Sequence, residues 1–328
     1  MNKLRWGIVG PGNIARKFAA ACKNIASCEL YGVASRSYEK GRAFAETYGI
    51  PAVFGSYEEM AASPLIDCVY IATPHPFHKP CAEIFLRAGK HVLSEKPLCV
   101  NAAEARTLAA LAKECGCFLM EAMWTRFLPA VDGAIEAAKN GEIGRIVGLS
   151  ADFCYSSNPE NDRAIFSRDM AGGGLLDVGV YGLHFAAMLF GTSPCAIQAA
   201  AALREGVDTH MQAILTYEGG EIASISSGTM VRKPEDAFIY GSNGYIRVPR
   251  FYGADSYTVV AGGKERTVTL PFLGNGFEEE ILEVVRCVGE GLLESDRHPL
   301  STTIAVLEEM DEIRGKIGVS YPFDKENS

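Results

Sequence analysis

The sequence has 328 residues, 48% of them hydrophobic and 22% charged, with a formal net charge of -9. That length predicts two domains of ordinary globular composition, and the acidic balance argues against a nucleic-acid or anionic-membrane partner. No stretch approaches the roughly 20 apolar residues of a membrane span, the N-terminus lacks the apolar run of a signal peptide, and ten scattered cysteines read as reduced residues of a cytoplasmic protein.

Residues 4–9 read as a strand running into Gly10-Pro11-Gly12, after which Ile14, Phe18, Cys22 and Ile25 recur at helical spacing. Strands follow at 30–34 and 53–54, with helices at 38–48 and 57–62. Residues 68–72 form a continuous apolar strand, of the kind buried on both faces of a parallel sheet. A helix at 80–87, a strand at 91–93, an alanine-rich helix at 102–115 and a strand at 118–120 complete this half. Cys115 and Cys117 are the one close cysteine pair; with no second pair or histidine at zinc spacing, no metal is expected. Strand–helix alternation predicts a doubly wound parallel sheet.

The second half reads differently. A helix at 129–140 and a strand at 146–154 lead to an irregular polar stretch, and Gly172-Gly173-Gly174 then opens a helix at 175–190. Five or more strands follow, with hairpin signals at Gly219-Gly220, Asn243-Gly244 and Gly262-Gly263, and hence a mainly antiparallel sheet. Helices at 277–293 and 302–316 close the chain. The expected fold is α/β: an N-terminal dinucleotide-binding domain over residues 1–121 and an α+β domain over 122–328.

Gly10-Pro11-Gly12-Asn13-Ile14-Ala15 fits the G-x-G-x-x-G/A fingerprint and sits between a strand and a helix, the context that gives the pattern meaning. Gly10 permits the tight turn, Gly12 lets the backbone approach a pyrophosphate, and Asn13 and Ile14 open the helix whose N-terminus favours that anion. An NAD site places Asp or Glu after the second strand; this chain has Ser35-Arg36-Ser37 there. Arg36 could pair with a 2′-phosphate and the serines could donate to it, so NADP is the expected cofactor, with NAD possible. Glu95-Lys96-Pro97 follows a strand at its carboxyl end, where ligands bind in such sheets. Asp177, Tyr181 and His184 share one face of a helix, an alignment that serves either a buried hydrogen-bonded trio or a ligand.

Together with Ile71-Ala72-Thr73-Pro74, His75, His78 and Tyr240-Gly241-Ser242-Asn243-Gly244, these segments resemble the glucose–fructose oxidoreductase/inositol dehydrogenase family (Gfo/Idh/MocA) over nearly the whole chain. Residues 120–127 and 174–181 look closest to its dimeric dihydrodiol dehydrogenase branch, whose members use NADP and oxidise trans-dihydrodiols and certain sugars. The resemblance implies a Rossmann domain and assigns roles. Lys96 is the lysine of the Glu-Lys-Pro motif, and Tyr181 is the general acid/base where many members carry histidine. Asp177 binds substrate or orients the base. Thr73, Pro74 and His78 line the nicotinamide side, with Glu95 beside them. Trp124, Arg126, Tyr155, His184 and Phe277 are candidates for the substrate pocket, with ordinary packing as the competing explanation.

The implied chemistry is hydride transfer between nicotinamide and a secondary alcohol or its carbonyl in a sugar, polyol or trans-dihydrodiol. A free tyrosine has a pKa of about 10, and a neighbouring lysine ammonium lowers it toward the range of a useful base. Three other readings stay open: an NAD-dependent sugar or inositol dehydrogenase, a reductase of an anhydrosugar or dicarbonyl, and a non-catalytic cofactor-sensing regulator. Small and apolar residues on both faces of 199–203 and 222–226 predict an exposed apolar sheet face, and so a homodimer or a larger homo-oligomer.

Overall fold

The structure, a computed structural model, describes residues 3–325; the outermost residues of the two expected domains, 1–2 and 326–328, lie outside them. In chain order the first elements are β1 (Leu4–Val9), α1 (Asn13–Lys23), β2 (Cys28–Ala34), α2 (Tyr38–Tyr48), β3 (Ala52–Phe54), α3 (Tyr57–Ala62), β4 (Cys68–Ile71), α4 (His78–Arg87), β5 (His91–Glu95), α5 (Ala102–Cys115) and β6 (Leu119–Ala122). The strands form one parallel sheet in the order β3-β2-β1-β4-β5-β6. The order reverses between β1 and β4, which places a ligand crevice at the carboxyl ends of those strands.

Local chemistry explains these elements. Every residue of β4 is buried, as expected for a strand covered on both faces. Trp6 of β1 meets Phe18 of α1 edge-on at 5.2 Å, and Phe18 stacks on Tyr70 of β4 at 3.9 Å. Each such fully buried aromatic contributes on the order of 2 kcal/mol of transfer free energy. Ser37 and Ser56 cap α2 and α3, accepting from the main-chain N–H groups of Lys40 and Glu59.

The later elements are α6 (Pro129–Lys139), β7 (Ile146–Cys154), α7 (Val180–Phe190), β8 (Ala196–Arg204), β9 (Val207–Thr216), β10 (Ile222–Gly228), β11 (Ala237–Gly241), β12 (Gly244–Val248), β13 (Ser256–Ala261), β14 (Lys264–Thr269), α8 (Phe277–Gly289) and α9 (Leu300–Ile317). Eight strands make a second sheet, β14-β13-β12-β11-β7-β10-β9-β8, antiparallel except where β7 meets β10. One face carries Ile197, Leu215, Ala223, Leu149, Ile239 and Ile246, all buried, with α6 and α7 packed against the sheet. The opposite face stays open, and on it Ile214 and Ile222 are 41% and 49% exposed.

The chain divides into two compact units. Residues Met1–Cys99, Ala103–Met123 and Leu273–Thr303 make the first; Val100–Ala102, Trp124–Phe272 and Ile304–Ser328 make the second. Helix α8 thus joins the first unit, packing on α1, although it follows the second sheet in the chain. Chain order alone cannot reveal such a return.

The single helix expected over 175–190 is two pieces. Leu175–Gly179 is a π turn and α7 begins at Val180. The helical run Arg168–Phe190 is apolar enough to pass for a membrane span by length and composition, yet most of it is buried inside the protein. Its apolarity serves packing: a Cβ on Gly182 would lie 2.6 Å from the Ile225 side chain, so the helix sits directly on the sheet. All ten cysteines are free, and eight of them are buried.

Candidate active site

At the end of β1, Gly10 has φ +87°, and a Cβ there would lie 3.0 Å from the carbonyl oxygen of Ala72. Only glycine turns the chain this tightly against the end of β4. Gly12 precedes α1 with extended backbone and no side-chain cap, and a Cβ built on it would meet nothing within 4 Å. Open space thus lies over uncapped helical N–H groups, a cradle that fits a dinucleotide pyrophosphate. Asn13 and Ile14 form the first turn of α1. Arg36 is exposed just past β2, its guanidinium 5.4 Å from the Phe77 ring. Ser35 is buried and its hydroxyl accepts from the Ser37 N–H, while Ser37 serves as the cap of α2.

The loops after β4 and β5 are tied together. Thr73 and Pro74 follow β4, and the Lys96–Pro97 peptide, just past β5, is cis. His78 is buried, with Nδ1 2.8 Å from the Pro97 carbonyl and Nε2 2.6 Å from the Thr73 carbonyl. Burial, and then the nearby His75, pull its pKa down to about 4; a neutral ring has one N–H and donates to one carbonyl at a time. His78 therefore braces two loops from inside. Glu95 also turns inward. Its carboxylate accepts from the Tyr70 hydroxyl and, at 3.2 Å, from the Lys96 N–H. Burial raises its pKa, opposed chiefly by the Lys96 charge. On the far side of the turn, Glu121 accepts from the Leu98 N–H at 3.1 Å and from Thr303 and His298 at 3.0 and 3.2 Å. Lys96 itself is half-buried.

In the second unit, the π turn and α7 carry Asp177, Tyr181 and His184. Tyr181 is 8% exposed, and its ring lies 5.4 Å from that of Phe153 and 6.1 Å from that of Tyr252. Asp177 accepts a short hydrogen bond from the Tyr155 hydroxyl. Burial first, and the Asp177 charge next, push the Tyr155 pKa up. Tyr155 was expected only as a pocket wall; its pairing with Asp177, 22 residues away, has no local signature. His184 is buried. Trp124 packs beside Gly253 and meets Phe272 at 6.4 Å, and Arg126 is half-buried two residues on. Phe277 belongs to the first unit, at the start of α8, unlike the other four pocket candidates.

Asp208, at the start of β9, escaped the sequence reading. It is 0% exposed and accepts from the Leu175 N–H at 2.7 Å, which fixes the start of the π turn. In the sequence it passes for one more polar residue in an alternating strand.

Comparison with known proteins supplies the family. Residues 4–123 match the model of an oxidoreductase family with an NAD-binding Rossmann fold, and residues 132–247 match the GFO/IDH/MocA C-terminal domain. Trans-1,2-dihydrobenzene-1,2-diol dehydrogenase from Mus musculus is 37% identical, covering 98% of this chain and 99% of that protein; the Homo sapiens protein is 35% identical over the same shares. Among solved structures, a 3-ketoreductase from Actinomadura kijaniata in complex with NADP and TDP-benzene superposes with a TM-score of 0.88 at 25% identity, covering 98% of this chain and 99% of that one. An aldose-aldose oxidoreductase from Caulobacter crescentus shares the fold, with a TM-score of 0.87 at 24% identity over 96% and 97%. The chain belongs to the Gfo/Idh/MocA oxidoreductases and is a nicotinamide-dinucleotide-dependent enzyme of hydroxyl and carbonyl groups.

Proposed function

We propose that the protein transfers hydride between NADP and a secondary alcohol, or the matching carbonyl, of a trans-dihydrodiol, sugar or polyol. The observation that carries this reading is Tyr181, set in an aromatic cage on the helix whose first turn holds the Tyr155–Asp177 pair. The relatives named as dihydrodiol dehydrogenases and the NADP-bound ketoreductase support the substrate class and the cofactor. The first unit binds the dinucleotide and the second holds the substrate.

When bound, the nicotinamide accepts or supplies the hydride. Tyr181 takes the alcohol proton in oxidation and returns it to the carbonyl oxygen in reduction. Lys96, half-buried at the end of β5, is the cation this reading assigns to the reaction, because an ammonium near the base favours phenolate over phenol. Asp177 cannot swing freely, because Tyr155 donates to it; it orients the substrate hydroxyl. The test is a screen of trans-dihydrodiols, aldoses and polyols, followed by nicotinamide absorbance with each dinucleotide. Absence of turnover on every class, despite tight NADP binding, would favour a cofactor-sensing role instead.

NADP selectivity rests on Arg36. Nothing acidic occupies residues 34–37, and a charge-assisted contact to a 2′-phosphate contributes about 1.5–3 kcal/mol. Arg36→Ala should therefore weaken NADP binding roughly ten- to hundredfold in a fluorescence titration and leave NAD affinity unchanged. Equal losses for both dinucleotides would sink this assignment.

The open sheet face is proposed as the contact with a second copy of the chain. Ile222, Gly148, Tyr240 and Tyr245 occupy successive paired positions across it, so a row crosses four strands with Ile222, Tyr240 and Tyr245 exposed on either side of a buried glycine. Ile222→Glu combined with Tyr240→Glu should convert a dimer to a folded monomer in light scattering; an unchanged mass would refute this face as the interface.

A further inference from the structure

The start of the helix bearing Asp177 and Tyr181 is held by one group that the proposed chemistry does not use. Asp208 is wholly buried in β9, with Oδ2 2.7 Å from the Leu175 N–H. Its other oxygen, Oδ1, has no hydrogen-bond partner among the described residues. The chain before the helix wraps closely around this carboxylate. Gly173 has φ +112°, and a Cβ there would sit 2.3 Å from Oδ1; a Cβ on Gly174 would sit 3.2 Å from Oδ2. The triple glycine is therefore as much a mould for Asp208 as a loop. The next link is direct, since the Asp177 N–H donates to the Gly173 carbonyl at 3.2 Å. From the other side, the Tyr321 hydroxyl donates to the Gly172 carbonyl at 2.5 Å.

A carboxylate at this place favours the uncapped N–H groups of a helix start in its ionised form. Once protonated, it loses that preference, and its new O–H needs an acceptor that the N–H groups of the turn cannot supply. We propose that Asp208 is a positioning residue for the reaction: its negative charge fixes the turn that presents Asp177 and Tyr181, so loss of that charge slows turnover without weakening dinucleotide binding. This inference rests on the assignment of Tyr181 as acid/base. Asp208 touches no substrate and acts only through the helix.

Burial raises the Asp208 pKa to about 6, opposed by the N–H groups of Leu175 and Gly174. The charged and titratable groups around it are Asp177 on the π turn and Tyr321, with Arg314 and Asp324 behind that tyrosine. On paired strands, Asp208 lies opposite Leu203 beside Arg204, and His210 follows two residues along β9. A charge needed for turnover that disappears below about pH 6 predicts an acid limb in kcat.

The test measures kcat and the Kd for NADPH from pH 5 to 8 in the parent, D208N, Y181F and the double variant. Misplacement of a reacting group by about an ångström costs on the order of a hundredfold. D208N should accordingly lose roughly ten- to hundredfold in kcat at pH 7, hold its NADPH affinity within twofold, and lack the acid limb. In the Y181F background its effect should shrink to the cost of misplacing Asp177 alone. The inference is overturned if D208N keeps the parent kcat and pH profile, or if kcat and NADPH affinity fall together. If D208N does not fold, the parent profile decides: a kcat flat through pH 6 overturns the proposal. A Y181F variant with full activity would instead strike the Tyr181 assignment, while D208N would still report on the helix.

Discussion

Replacing Tyr181 with phenylalanine should lower kcat by about 10²–10⁴-fold, the ordinary worth of a positioned acid/base group, and leave NADPH affinity untouched. The substitution is clean because the ring, caged by Phe153 and Tyr252, keeps its packing and only the hydroxyl is removed. Tyr155→Phe separates this role from that of the second tyrosine nearby in sequence. The Tyr155 hydroxyl already donates to Asp177 and burial pushes its pKa up, so it is a poor base. Its loss frees Asp177 to reorient and should cost about tenfold, chiefly in KM. Steady-state kinetics on both variants decide the matter. A Tyr181→Phe enzyme within threefold of the parent would remove the tyrosine from the mechanism, and a larger loss in Tyr155→Phe would transfer the role.

Elements with strong local periodicity were legible. The strand expected at 146–154 is β7 to the residue, and the three glycine-marked hairpins all join antiparallel neighbours. The Gly10–Gly12 turn and the strand ends that flank it follow from backbone sterics, which short motifs encode directly. What escaped depends on contacts distant in sequence. Asp208 reaches Leu175 across 33 residues, and Glu121 reaches Thr303 across 182. Nothing at residues 277–289 announces that α8 returns to the first unit and packs on α1. Helical spacing also could not foresee the π turn. Residues four apart return to much the same side of either helix, and the turn's anchor, Asp208, lies 33 residues away in sequence. The family resemblance sets Glu95 among the cofactor-binding residues. Strand alternation sends adjacent side chains opposite ways, and Glu95 turns into the core toward Tyr70.

Stability should fall with rising pH more steeply than the composition suggests, and two glutamates should be responsible. Glu309 of α9 is 5% exposed, and neither of its oxygens finds a hydrogen-bond partner among the described residues. Burial, and then the charges of Glu312 and Glu308, push its pKa up to about 8. Glu280 of α8 is likewise buried and without a partner, and burial, then the Glu95 charge, raise its pKa well above the usual carboxylate range. In both cases the folded state holds a proton that the unfolded chain has released. The native protein therefore binds more protons than the unfolded chain above about pH 4.5, the ordinary value, and stability declines from there until the folded group itself ionises. For Glu309 that window closes near pH 8. At about 1.4 kcal/mol per pH unit, it should cost on the order of 2 kcal/mol between pH 6 and pH 8. Glu309→Gln abolishes this slope, whatever fixed penalty a buried amide adds, so the comparison lies between slopes and not between absolute stabilities. Urea unfolding of the parent, Glu280→Gln and Glu309→Gln at pH 6 and pH 8 measures it. Parallel lines for all three would mean that both carboxylates find hydrogen-bond donors or water in the folded protein and stay ionised there. Convergence of the two variants on a shallower slope would identify the alkaline weakness of each unit with a single uncompensated carboxyl.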